Sequence, residues 1–179
     1  DVDGAEAADR RVIEIDPNYA NAHVNLGNLL KDHRKDFDGA EAAYRRAIEI
    51  DPNYALAHNS LADLLQNHRK DIDGAEEQFH LAIKADPNNA SAHSNLGSLL
   101  KNHRKDIAGA EEQYRLAIKL DPNNADAHYS LALLLENHKK DIAGAEREYR
   151  LAIKLDPNNA IAHCNLGNRL KDHEKDGGG

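Results

Sequence analysis

Apolar and polar positions alternate along this chain with helical spacing, and the pattern starts again every 35 residues. In the repeat that begins at Ala125, the apolar side chains recur at steps of about three and four: Leu131, Leu134, Leu135, Ile142, Ala145, Tyr149, Ala152 and Ile153. Such steps gather apolar side chains on one face of a helix. The sequence therefore predicts two amphipathic helices in each repeat, which we name helix A and helix B.

The residues between the apolar stretches mark where these helices begin and end. Asn124 and Asp141 stand where a side chain can accept hydrogen bonds from the first amides of helix A and helix B. Helix B is expected to end at an Asp-Pro pair, because proline lacks an amide donor and restricts the residue before it. This pair recurs at Asp16, Asp51, Asp86, Asp121 and Asp156. We predict an all-α chain of about ten helices.

Five copies of the motif account for nearly all of the 179 residues. We therefore expect one repeat domain over residues 1–176, which starts with a helix B and ends with a helix A. Gly177–Gly179 is expected to be a glycine tail or a linker remnant. With 4% aromatic residues and neither Trp nor Met, Ala and Leu must fill the core, which suits closely packed helices.

Charge and cysteine content narrow the classes of partner. The net charge of −8 argues against a nucleic-acid partner. No apolar run has the length needed to cross a membrane, so no membrane partner is expected. The single cysteine, Cys164, excludes an internal disulfide and fits a cytoplasmic or other intracellular reducing compartment.

The repeated residues resemble the tetratricopeptide repeat family. Helix A carries Asn/Ser-Leu-Gly/Ala, and helix B carries an alanine, an aromatic residue and a second alanine. These triplets are Ala40/Tyr44/Ala47, Ala75/Phe79/Ala82, Ala110/Tyr114/Ala117 and Ala145/Tyr149/Ala152. The resemblance implies a right-handed α-solenoid of antiparallel helix-turn-helix repeats that binds a protein or peptide in a concave groove lined by helix A.

Two features depart from the family pattern. The family period is usually 34 residues, and the additional residue here lies in the turn between helix A and helix B. A His-x-Lys-Asp string replaces the usual glycine of that turn. The bulky aromatic residue common early in helix A is also replaced by histidine, at His23, His58, His93, His128 and His163.

Three rows of helix A vary while the rest of the repeat stays nearly constant. They follow steps of three and four, so they form one stripe of the helix, which we name the helix A stripe. The first row is Asn21, Leu56, Ser91, Asp126 and Ile161; the second is Val24, Asn59, Ser94, Tyr129 and Cys164; the third is Asn28, Asp63, Ser98, Leu133 and Asn168. The family resemblance makes this stripe the predicted partner-binding groove, whereas free drift of solvent-facing positions is the alternative.

A ladder of amide and hydroxyl side chains runs beside the stripe: Asn25, Ser60, Asn95, Ser130 and Asn165. Asparagine offers both a donor and an acceptor to a peptide backbone. The ladder resembles the asparagine row inside the superhelical repeats of O-GlcNAc transferase, although serine interrupts it in every second repeat. Local hydrogen bonding or simple solvation is the alternative explanation.

No catalytic residue set, cofactor or metal site is predicted. The two histidines of helix A stand ten residues apart, which is about 15 Å along a helix axis and too far for one ion. The basic turns at Arg34, Arg69, Arg104, Lys139 and Lys175 are expected to be solvated helix ends, and an RNA-binding helical repeat is a distant alternative. We predict a binding protein and not an enzyme.

The two ends suggest a rival role. Asp9 replaces the aromatic residue of helix B, and Arg169 replaces the leucine found at Leu29, Leu64, Leu99 and Leu134. Polar residues at the ends of a solenoid usually act as caps. Their opposite charges also allow them to pair across a head-to-tail junction between molecules, which makes a self-assembling structural array the alternative function.

Overall fold

A computed structural model describes residues 2–176, with side chains through Lys171, and these residues form ten α-helices and no strand. The helices are α1 (Val2–Ile15), α2 (Ala20–Leu29), α3 (Phe37–Ile50), α4 (Ala55–Leu64), α5 (Ile72–Ala85), α6 (Ala90–Leu99), α7 (Ile107–Leu120), α8 (Ala125–Leu134), α9 (Ile142–Leu155) and α10 (Ala160–Asp176). Even-numbered helices are helix A and odd-numbered helices are helix B. Because the described residues contain helices and no strand, the all-helical prediction is confirmed. The predicted glycine tail and the side chain of Lys175 lie outside the described residues.

The described chain divides into two compact units, residues 2–92 and residues 93–176. Within each unit, helix A packs on the helix B that follows it, as α2 packs on α3, α4 on α5 and α8 on α9. The predicted single domain over residues 1–176 stays a prediction. Within residues 2–176, no helix combines the length and the apolarity needed to cross a lipid bilayer.

The core of each repeat is built around the aromatic residue of helix B. Tyr44 is completely buried between Ala40 and Ala47, one turn before and one turn after it on α3. Its ring lies so close to Gly27 of α2 that an added Cβ there would stand 2.5 Å from Cε1 of Tyr44. The small residue on helix A is therefore what allows the ring to pack against the helix backbone.

The unit of residues 93–176 repeats this arrangement. Tyr114 and Tyr149 lie in one buried cluster with Leu131 and Leu134. Tyr129 and Leu133 of the helix A stripe pack against the edge of that cluster and remain partly exposed. The stripe is thus a direct extension of the core.

The histidine early in helix A ties that helix to the turn before it. His58 is only 4% exposed, and its Nε2 donates to the carbonyl of Pro52 at 2.9 Å. The same bond joins His23 to Pro17 and His128 to Pro122. A polar ring is tolerated in the core here because its ring nitrogens find hydrogen-bond partners.

The predicted capping residues are confirmed. Asn124 accepts a hydrogen bond from the amide of Ala127 at 2.9 Å, and Asp141 accepts one from the amide of Gly144 at 2.8 Å. In α2 and α4 the corresponding residue is tyrosine, at Tyr19 and Tyr54, and it makes no capping bond. These two helices therefore start without side-chain capping.

In each of the four helix A–helix B corners, helix A ends in one π-helical turn. These turns span Leu30–Arg34, Leu65–Arg69, Leu100–Arg104 and Leu135–Lys139. In the first corner the amides of Lys35 and Asp36 both bond to the carbonyl of Leu30, so the helix closes over five and six residues in place of four. The wider turn accommodates the additional residue of the 35-residue repeat.

The residue after each π turn is a lysine in the left-handed helical region: Lys35, Lys70, Lys105 and Lys140, with φ of 58 to 60°. Residues with a Cβ are disfavoured there by about 1–2 kcal/mol. Glycine avoids this cost, although it adds conformational entropy to the unfolded chain, worth about 0.5–1 kcal/mol.

We therefore expect Lys70→Gly to raise the free energy of unfolding by about 0.5–1 kcal/mol. Lys70→Val, which puts a β-branched side chain in the same conformation, is the matched control and should lower it. Thermal unfolding followed by circular dichroism measures both. A lower melting temperature for Lys70→Gly would contradict the expectation.

Alkaline pH tests the buried tyrosines. Burial raises the pKa of Tyr44, Tyr114 and Tyr149 above the usual value near 10. The unfolded chain therefore releases these phenolic protons first, and stability present below about pH 10 is lost as the pH rises further. Tyr149→Phe, which copies the natural Phe79, should flatten this loss in urea unfolding from pH 8 to about pH 11. Equal pH slopes for the two proteins would show that ionisation of Tyr149 does not contribute.

Candidate partner-binding site

The first row of the helix A stripe lies at the start of each helix A and is partly or largely exposed. Leu56 is 42% exposed and Ile161 is 62% exposed, which is high for aliphatic side chains. Asn21 accepts a hydrogen bond from the hydroxyl of Tyr54 at 2.9 Å. Ser91 and Asp126 are exposed. This row is open to a partner.

The second row is less accessible than the sequence predicted. Val24 is completely buried and Ser94 is 7% exposed, so their side chains are not available to a partner and this part of the prediction is wrong. In residues 2–92 the physical reason is that α2 packs directly on α4, which covers a small side chain at that seam. Asn59 and Tyr129 are partly exposed and Cys164 is exposed.

The third row meets the hydroxyl groups of the helix B tyrosines. Tyr44 donates to Oδ1 of Asn28 at 2.7 Å, and the hydroxyl oxygens of Ser98 and Tyr114 lie 3.0 Å apart. Leu133 has no such bond and packs on the core. In these two repeats the hydroxyl of the core tyrosine therefore reaches the third row of the stripe. Of the remaining members, Asp63 is partly exposed and Asn168 is exposed.

One member of the ladder beside the stripe is bonded to a neighbouring tyrosine. Asn165 donates to the hydroxyl of Tyr129 at 3.4 Å. Ser130 is partly exposed. Asn25 is exposed, Asn95 is partly exposed, and Ser60 is only 8% exposed. The proposal that the ladder grips a peptide backbone stays a prediction.

Sequence reasoning missed a fourth row, one helical step beyond the third. We name it the end row: Lys31, Gln66, Lys101, Glu136 and Lys171. Its signal was available, because it follows the third row by three residues and varies in charge from repeat to repeat. Its first four members fall in the π turns, where an α-helical pattern no longer predicts which face a side chain occupies, whereas Lys171 lies in α10.

Two members of the end row are bound within the chain. Lys31 reaches Oδ2 of Asp63 at 2.8 Å. Burial alone would lower the pKa of Lys31, but the hydrogen bond and the negative charge of Asp63 outweigh it, and the pKa is raised. Glu136 accepts a hydrogen bond from the hydroxyl of Tyr149 at 2.6 Å and pairs with Nε of Arg169 at 2.9 Å.

Lys101 differs from both. It is partly buried, and it makes neither a hydrogen bond nor an ion pair with any residue in the described part of the chain. Burial lowers the pKa of its ammonium group, with no opposing charge to restore it. A partly buried cation without a partner is unfavourable, so Lys101 differs from the paired charges of the end row.

The predicted end contacts are also located. Arg169 pairs with Glu136 in its own molecule. Asp9 is partly buried beside Asn25 and Asn28, and burial raises the pKa of its carboxyl group. The arginine that was predicted to pair across a junction is therefore engaged within the chain.

The basic turns at Arg34, Arg69 and Lys139 are paired with acidic residues of the helix B that precedes each of them. Arg34 pairs with Asp3 and with Glu6, whose carboxylate lies 2.9 Å from Nε, and Arg69 bonds to Glu41 in the same way at 3.0 Å. Lys139 lies 3.2 Å from Glu111. Among the residues with described side chains, no three His, Cys, Asp or Glu groups are placed to hold a metal ion.

The two lysines of the end row give opposite stability predictions. The raised pKa of Lys31 means that its ion pair stabilises the fold at neutral pH and is lost only as the pH rises through that pKa. The lowered pKa of Lys101 means that its charged form costs stability at every pH below that pKa. At pH 7, Lys31→Met should therefore lower the free energy of unfolding by about 0.5–1 kcal/mol, whereas Lys101→Met should raise it. Thermal unfolding should show a lower melting temperature than the wild type for Lys31→Met and a higher one for Lys101→Met. The reverse order would contradict the assigned environments.

Comparisons with known proteins agree with this architecture. A family model described as a TPR repeat matches residues 34–68 and 102–139, and one described as a tetratricopeptide repeat matches residues 125–159. The matched residues are slightly more than half of the chain. A search of curated proteins gave no significant match.

Solved structures show the same fold. The crystal structure of MamA is similar with a TM-score of 0.69 and 23% identity, over 90% of this chain and 92% of that one. YrrB, described as a TPR protein with an unusual peptide-binding site, gives 0.70 and 24% over 95% and 86%. PilF of Pseudomonas aeruginosa gives 0.82 and 23% over 97% and 78%. The paired helices, the alanine–aromatic–alanine core of helix B and these matches show that the chain belongs to the tetratricopeptide repeat family.

Proposed function

We propose that this chain is a protein-interaction scaffold that binds an extended partner segment along the helix A stripe. The observation that carries the proposal is the exposure of apolar side chains on a stripe that varies between repeats while the core beneath it is constant. Membership of the tetratricopeptide repeat family supports the general role of binding a protein or peptide.

The unit of residues 93–176 offers the best surface for such a segment. Tyr129 and Leu133 are partly exposed there, although both rest on the buried cluster and are therefore held in place. Pre-organised apolar side chains favour binding because little side-chain entropy is lost when the partner covers them. Ile161 adds a largely exposed apolar side chain on α10.

Polar groups around these residues suit a peptide backbone. Ser98 and Asn165 each keep part of their surface exposed, beside the tyrosine hydroxyls that they contact. YrrB, which has a similar fold, is described as having a peptide-binding site, and this supports a peptide as the partner. Binding of this kind needs no reacting group, and the scaffold role is proposed without enzymatic activity.

Head-to-tail self-association stays a prediction from the sequence. Arg169 is paired with Glu136 inside the molecule, so nothing about this residue favours a junction over a simple cap. The peptide-binding scaffold is therefore the function proposed.

A displayed library of random peptides, selected on the intact chain, tests the proposal directly. Peptides selected on the wild type should bind Leu133→Ser at least about tenfold more weakly, because burial of a leucine contributes roughly 1.5–3 kcal/mol. Tyr129→Ser should weaken them as well. Fluorescence anisotropy gives the dissociation constants, and circular dichroism checks that helicity is unchanged.

Leu151→Ser is the matched control, since Leu151 is an exposed leucine on helix B, away from the stripe. It should leave the affinity unchanged. Peptides that bind Leu133→Ser and Tyr129→Ser as tightly as the wild type would overturn the assignment of the site.

A further inference from the structure

The repeats of one chain can be compared position by position. In the end row this comparison shows which group binds the lysine. Lys31 of the first described π turn has two acidic neighbours: Oδ2 of Asp63 lies 2.8 Å from its Nζ, and Oδ1 of Asp32 lies 3.6 Å from it. A carboxylate therefore fits against the ammonium group of the end row, approaching from the third row of the next helix A.

Lys101 is the same position two repeats later, and both acids are missing there. Leu133 stands where Asp63 stands, and Asn102 stands where Asp32 stands. Lys101 therefore occupies the position of Lys31 but lacks the carboxylates that contact Lys31. Among the partly buried charges of the end row, Lys101 alone lacks a partner within the described residues.

The other acidic groups of this unit's stripe do not supply the missing charge. Glu136 is held by Arg169 and by the hydroxyl of Tyr149. Asp126 belongs to the first row, at the opposite end of helix A from the end row. The remaining stripe positions that neighbour Lys101 in register are uncharged, at Ser98 and Leu133. Glu136, the acidic member of the end row in the next repeat, is thus already engaged and does not pair with Lys101.

We infer that Lys101 binds the carboxylate of an aspartate or glutamate side chain in the partner segment, next to an apolar residue that covers Leu133. This inference rests on the proposed function and names the chemistry of the partner. A partner segment that follows the third row from Ser98 on α6 to Leu133 on α8 runs past Lys101 and does not end there. A side chain is therefore the source of the carboxylate.

The energetics favour such a contact. A hydrogen bond between an ammonium and a carboxylate is stronger than one between neutral groups. The unfavourable burial that lowers the pKa of Lys101 is also relieved when an anion arrives. Since the chain carries a net charge of −8, a cation at this place selects for a local acidic group and not for a generally acidic protein.

The test uses peptides selected on the intact wild-type chain. Their sequences should share an aspartate or glutamate at one position beside an apolar residue. Replacing that acid by its amide should weaken binding to the wild type by about tenfold. The same replacement should have no effect on Lys101→Met, while Lys101→Arg should restore the preference for the acid.

Two controls complete the design. Lys31→Met removes the equivalent lysine that is already paired and should leave the acid preference unchanged. A peptide whose only carboxylate is at its C-terminus should bind like the amide peptide. If that peptide binds as tightly as the acidic one, the inferred side-chain source is wrong.

The outcomes separate the inference from the proposed function. Peptides that depend on Leu133 but show no coupling between their acid and Lys101 would overturn the inference and leave the proposed function intact. If no peptide is selected, or if binding does not depend on Leu133 and Tyr129, the proposed function fails and the inference fails with it.

Discussion

The contact between the aromatic ring of helix B and the small residue of helix A fixes how closely the two helices of a repeat approach. The ring of Tyr44 lies against Gly27 with no room for a Cβ, and alanines on both sides complete the contact. Because the ring is held at this depth, its hydroxyl comes out at the third row of the stripe. The same side chain therefore supports the core and sets the hydrogen bonding of the proposed binding surface.

The constant core makes the variable charges easy to interpret. Where the repeats supply both members of a pair, as in Lys31 and Asp63, the charge is satisfied inside the chain. Where one member changes to leucine, as at Leu133, the remaining lysine is left without its partner. Each repeat can thus be compared with the others at the same position, and the loss of a charged partner is recognised as a difference between repeats.

Local features were predicted well from the sequence. Asn124 and Asp141 cap their helices as expected, because a capping bond depends only on residues three positions apart. The burial of Val24 was not predictable, since it depends on the neighbouring α4. The ion pairs of Arg34 and Arg69 with the preceding helix B were also missed. They join residues about 30 positions apart, beyond the reach of any helical spacing rule.

The π turn explains how the repeat carries one residue more than the usual family length without a longer loop. The additional residue is wound into the end of helix A, and the corner is closed by the carbonyl of Leu30 and its counterparts. Helix B begins at the same place relative to its capping aspartate in all four corners. The length difference is thus confined to the corner, so modules of 34 and 35 residues become compatible building blocks, provided that they are joined at the Asp-Pro turn.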